Sequence, residues 1–285
     1  MDIRGNFRNK KRIVVKVGSS SIEHPETGGL DYGKMEILVR ELCDLKNRGM
    51  DVILVSSGAM AVGRITAGLK DKTRETATLP ENQACAAIGQ SALMTTYDKL
   101  FSEYRQLTAQ VLITRYSVQN NLSRYNARNT FRELLKLGAI PVVNENDTVS
   151  TFEIQCGDND TLSAMVANLA EADLLILLSD VDGLYTDDPR RNPDARFIPE
   201  VLKIDGSLMK MGKSSTGSGL GTGGMSTKLR AAHIAVSSGA DMVIASGEDM
   251  RIISEIVDGE EVGTVFHSDR DEYFDLVSYL DSIGV

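Results

Sequence analysis

With 285 residues, 42% hydrophobic content and no tryptophan, the chain can build a sizeable core from aliphatic side chains. Three scattered cysteines (Cys43, Cys85, Cys156), no apolar leader in Met1-Asp2-Ile3-Arg4-Gly5 and no ~20-residue apolar stretch predict a cytoplasmic protein without a membrane span. The formal charge of −9 argues against nucleic acid as a partner, because such binding rests on clustered cations.

The one basic run, Lys10-Lys11-Arg12, is expected to be a solvated lead-in to a strand over 12–17. Further Val- and Ile-rich runs predict strands over 52–56, 109–114, 140–144, 174–179 and 241–245. Helical periods lie between them, near 34–48, 82–104, 122–137, 161–170, 226–238 and 250–257. Continuous apolar strands alternating with helices predict an α/β fold, a three-layer αβα sandwich with a mostly parallel central sheet. In such a sheet, ligands bind beyond the carboxyl ends of the strands.

Polar residues gather at those ends. Lys16-Val17-Gly18-Ser19 closes the first run, Ser56-Ser57-Gly58-Ala59 follows the second, and Asn144-Glu145-Asn146-Asp147 follows the fourth. A short hairpin is expected over 150–157, before Asp158-Asn159-Asp160 opens the next helix. Ser179-Asp180-Val181-Asp182-Gly183 follows the fifth strand. The stretch 207–224, rich in Gly, Ser, Met and Lys, reads either as a plain connection or as a lid over a substrate. The last segment, 269–285, carries Phe274, Val277, Leu280 and Ile283 at helical spacing and predicts a docked terminal helix.

The stretch Gly221-Thr222-Gly223-Gly224-Met225-Ser226-Thr227-Lys228 is the most specific signal. Its bare backbone can approach an anion, and it runs into a helix N-terminus, where free amides and the dipole favour negative charge. Lys228 in the first turn opposes that dipole, so helix stability does not account for it. No strand precedes the loop, which argues against a dinucleotide fingerprint or a P-loop.

These ordered motifs, together with Gly157-Asp158-Asn159-Asp160 and Gly183-Leu184-Tyr185, resemble those of the glutamate 5-kinase branch of the amino-acid kinase family, over roughly residues 10–266. The resemblance implies phosphorylation of the side-chain carboxylate of L-glutamate by ATP with Mg²⁺, the first step of proline biosynthesis. By the same resemblance, Lys16 and Lys228 flank the transferring phosphoryl group and Asp160 holds both ammonium groups. Ser57, Gly58, Asp147 and Asn159 would grip the amino acid. Lys16, Gly18, Ser19, Ser179, Asp180, Thr222, Gly223, Gly224, Met225, Ser226, Thr227 and Lys228 would surround the nucleotide. No metal ligand follows from it. His24, His233 and His267 sit in isolated contexts and read as structural or surface residues.

The resemblance also implies a homo-oligomer (dimer or tetramer), proline as feedback inhibitor and a hand-off to glutamyl phosphate reductase. It stops short of the C-terminal PUA domain that many members carry. The expectation is a single kinase domain over 1–285 with no PUA domain. Other acid kinases of the same family, such as acetylglutamate kinase, aspartokinase and carbamate kinase, remain alternatives, as does a nucleotide or amino-acid sensor.

Overall fold

The computed structural model describes residues 4–69, 71–150, 159–189, 192–209 and 224–283. Six of the apolar runs become strands: β1 (Arg12–Val17), β2 (Asp51–Ser56), β3 (Thr108–Ile113), β4 (Ile140–Glu145), β5 (Leu174–Ser179) and β9 (Asp241–Ser246). They pair in parallel within one sheet of order β3-β4-β2-β1-β5-β9-β10-β8. Two short strands the sequence does not announce complete it. β10 (Thr264–Phe266) lies antiparallel to β9, and β8 (Glu200–Val201) pairs with β10. A separate antiparallel ribbon joins β6 (Leu184–Tyr185) and β7 (Phe197–Ile198).

The helices are α1 (Ser19–Ile22), α2 (Tyr32–Asn47), α3 (Ala59–Thr66), α4 (Leu79–Glu103), α5 (Arg115–Gln119), α6 (Asn121–Lys136), α7 (Asn159–Ala170), α8 (Met225–Ser237), α9 (Ile252–Val257) and α10 (Leu276–Ser282). Helix α4 starts three residues earlier than the apolar period suggests. Thr78 and Glu81 form a reciprocal capping box, and a proline occupies the first turn.

Alternation along the strands sends their side chains to two cores, as a sheet covered on both faces requires. Val14, Ile53, Val55, Leu175 and Leu177 pack toward α6, α7, α8 and α10. Ile13, Val15, Leu54, Leu174 and Ile176 pack toward α2, α4 and α9. The three-layer αβα arrangement is therefore present as expected. Lys16 shares the parity of Val14 and so points toward α7 and α8. Strand β1 lies at the sheet's centre, with Lys16 opposite Val55 on one side and Leu177 on the other. A lysine snorkelling from an edge strand is thus excluded.

Helices α3 and α4 meet backbone to backbone. A Cβ on Gly63 would fall 1.8 Å from the Cys85 carbonyl oxygen, and one on Gly89 would fall 1.7 Å from that of Ala59. Only glycine fits either position. At the C-terminus, α10 buries Leu276 and Leu280 against the α7–α8 layer, while Phe274 and Ile283 pack half-buried beside them.

Two expectations change. The basic run is not simply solvated: Lys10 pairs at 2.5 Å with the buried Asp241, and Arg12 pairs at 3.1 Å with Asp51. The sheet edge presents carboxylates there, so the cations are drawn in. Strand β3 is not covered on both faces, because it is the outermost strand and leaves Leu112 exposed. The expected hairpin over 150–157 and most of the 207–224 stretch lie outside the described residues. Among the described residues no helix is long and apolar enough to cross a membrane.

Candidate active site

The carboxyl ends of β1, β2, β4 and β5 share one edge of the sheet, and α7 and α8 bring their first turns to it. Asp160, in the first turn of α7, is 2% exposed. Its two oxygens divide between two lysines, with Lys16 Nζ 2.7 Å from Oδ1 and Lys228 Nζ 3.1 Å from Oδ2. Thr227 Oγ1 donates to Oδ2 at 2.9 Å. Both lysines are themselves buried. Burial alone would raise the Asp160 carboxyl, but Lys16 and then Lys228 outweigh it and hold the group well below the usual carboxylate range. The clamp is therefore two cations and one anion, a net positive pocket within an acidic protein.

Gly224 is the N-cap of helix α8 and offers no side-chain acceptor to its first turn, where the Thr227 amide turns back to the Gly224 carbonyl at 3.0 Å. Gly18 precedes α1, and a Cβ there would touch Lys16 Nζ at 3.6 Å. The bare backbone after β1 thus lies beside the clamp, where an anion would meet both.

The other half of the cradle is a hydrogen-bonded chain. Asn159 Nδ2 donates to Ser57 Oγ at 2.6 Å, and Asn144 Oδ1 accepts from Glu145 N at 2.9 Å. Asn144 Nδ2 in turn donates to Gln90 Oε1 on α4 at 2.9 Å. Gly58, at φ +101°, adopts the left-handed turn that starts α3 and that side chains rarely enter. Asp147 is 4% exposed, and its Oδ1 has no hydrogen-bond partner among the described residues. Burial, and then the charge of Glu145, push its carboxyl far above the usual range, with Arg74 opposing them. An uncompensated carboxylate of this kind suits a cationic ligand group.

Residues 11–246 match the model of the amino acid kinase family. The chain belongs to that family. It is 54% identical to a glutamate 5-kinase of Carboxydothermus hydrogenoformans, over 93% of this chain and 70% of the relative. A glutamate 5-kinase of Clostridium acetobutylicum is 50% identical over 90% of this chain and 95% of its own length. One of Clostridium perfringens is 46% identical over 95% and 100%. Among solved structures, the carbamate kinase from Giardia lamblia bound to AMP-PNP superposes with a TM-score of 0.65 at 16% identity, covering 92% of this chain and all of that one. At that identity the likeness concerns the fold.

In this member of the amino acid kinase family, Lys16, Asp160, Thr227 and Lys228 meet in one cluster, and Ser57 and Asn159 meet in an adjoining one. Ser179 is buried at the end of β5 and donates to the exposed Asp180 at 3.0 Å. Ser19, Met225 and Ser226 lie half-buried in the first turns of α1 and α8. Thr222 and Gly223 lie outside the described residues. The three histidines stay out of the site. His233 stacks on Tyr279 with ring centroids 4.6 Å apart, His24 faces Asp31, and His267 pairs with Glu200.

Sequence reading missed Asn144, Glu145 and Arg74 as parts of the cradle. Asn144 and Glu145 stand within the quoted strand-end motif, and their position in it was signal enough. Arg74 comes from the polar connection before α4, where nothing local marks it.

Proposed function

We propose that this protein is a glutamate 5-kinase: it transfers the γ-phosphoryl group of ATP to the side-chain carboxylate of L-glutamate, giving L-glutamyl 5-phosphate for proline biosynthesis. The buried Lys16–Asp160–Lys228 clamp carries the reading, set in a chain about half identical to glutamate 5-kinases.

The nucleophile is already ionised at neutral pH, since a glutamate carboxyl titrates near ~4.3. No general base is needed. A carboxylate oxygen forms the new bond to the γ-phosphorus as the bond to the β,γ-bridging oxygen breaks and ADP leaves. What this chain must supply is charge compensation and alignment. Lys16 and Lys228 lie against the equatorial oxygens from two sides. Asp160 keeps the two ammonium groups in register and offsets their repulsion before phosphate arrives. Mg²⁺ enters as the magnesium complex of ATP, hence as part of the substrate. An ion of this kind is held mainly by phosphate oxygens and water.

On the nucleotide side, we assign the phosphates to the amides of Gly18 and Ser19 and to residues 222–228, and the ribose and base to Ser179 and Asp180. On the acceptor side, Ser57 and Gly58 seat a carboxylate, while Asp147 and Asn159 hold the α-amino and carboxylate groups. We take residues 1–285 as one kinase domain that works as a homo-oligomer and is inhibited by proline. The labile acyl phosphate favours hand-off to glutamyl phosphate reductase.

Hydroxylamine traps acyl phosphates as hydroxamates. With ATP, L-glutamate should give hydroxamate only when Mg²⁺ is present, and N-acetylglutamate and L-aspartate should give little. Signal from another acid alone would move the protein to a sister activity. Silence with all three acids, from folded protein, would overturn the reading. Proline added to the same assay should suppress the signal, and an unchanged rate would remove the inhibition.

A further inference from the structure

Glu23 follows α1 directly, and its backbone bridges to Leu30 in antiparallel fashion. A Cβ built on Gly58 would stand 3.1 Å from Glu23 Oε1, so this carboxylate borders the proposed acceptor seat. That oxygen is buried and has no hydrogen-bond partner among the described residues; the same is true of Nη1 of Arg64, on α3. Burial pushes the Glu23 carboxyl up to about 7, and Arg64 pulls the other way. Buried acceptors in folded proteins are almost always paired, so an unpaired one beside a seat calls for a donor.

Glutamate brings such a donor. With its α-carboxylate at Ser57 and Gly58, its α-ammonium is carried on the adjacent carbon, and an ammonium has three N–H groups to place. Asp147 Oδ1 is the other buried carboxylate oxygen of the cradle without a partner. Asn159 Nδ2 reaches Ser57 Oγ at 2.6 Å and Asn144 Oδ1 at 3.5 Å, which links the strand ends of β2 and β4 around the seat.

We propose that Glu23 is a substrate-binding residue that accepts a hydrogen bond from the α-ammonium opposite Asp147, and so selects amino acids over acids that lack the amine. This rests on the reading of the protein as a glutamate kinase. The test compares L-glutamate with glutarate, which has both carboxylates and no amine. Glutarate is measured as substrate or, where it is not phosphorylated, as a competitive inhibitor. Glu23→Gln keeps shape and removes the charge. It should raise KM for L-glutamate roughly tenfold or more, as loss of one charge-assisted hydrogen bond does. The glutarate constant and kcat should stay within about twofold, a change too small to signal a lost interaction. Equal shifts for both ligands would mean a structural role, and no shift for either would mean no contact; both outcomes overturn the proposal. Should the glutamine variant fail to fold, Glu23→Asp draws the charge back and should show the same glutamate-selective loss. Wild-type protein inactive on L-glutamate would instead sink the kinase reading itself.

Discussion

One carboxylate serves two lysines in this site, and that asymmetry shapes what single substitutions do. Lys228→Ala removes a cation from the phosphoryl group but leaves Asp160 paired with Lys16 and Thr227. The variant should therefore fold, by circular dichroism, while kcat falls by roughly two to three orders of magnitude. Near-normal turnover would remove the charge-compensation account. Asp147 titrates the other way. Its carboxyl is raised to about 7 by burial and by Glu145, and only its ionised form can hold an ammonium. KM for L-glutamate should rise as pH falls below about 7. Asp147→Asn should raise KM throughout and flatten that slope; a slope unchanged in this variant would assign it to another group. Lys16 was legible in the sequence because a lysine within a valine run needs a partner, and Lys228 because it opposes its helix dipole. Arg74 and Glu23 were not, since a charged residue in a polar connection looks solvated until the fold encloses it.

Among elements, the α3–α4 contact is the most demanding. Gly89→Ala would place a methyl group 1.7 Å from a backbone carbonyl, and the helix cannot yield as a side-chain tip would. A loss of about 3 kcal/mol of stability is expected in urea unfolding. Gly206→Ala is the control, because among the described residues nothing lies within 4 Å of a Cβ there, and it should change stability little. A Gly89→Ala variant as stable as that control would show that the helices can part without cost. The long strands and helices could be read from periodicity because each spans enough residues to show it. β8 and β10, of two and three residues, could not, nor could the direction of β10. The early start of α4 was readable in principle, since Thr78 and Glu81 spell a capping box.

Across the molecule, the parallel arrangement of β1, β2, β4 and β5 gathers four strand-end motifs on one edge, and their order in the chain foretold it. Which motifs would touch was not foretold. Contact between Lys16 and Asp160 depends on the central place of β1 and on the parity that turns Lys16 toward α7. The phosphoryl clamp hangs from β1, α7 and α8, whereas the acceptor cradle hangs from α3 and β4 and is tied to α4 through Gln90. Gly63 and Gly89 rivet α3 to α4, so the cradle has a floor that no selection can redraw. In a mutant library aimed at a new acceptor acid, those two codons would return as glycine whatever acid is offered. They would serve as an internal standard of foldedness, against which enrichment at Ser57, Asp147 or Glu23 can be scored as a change in taste.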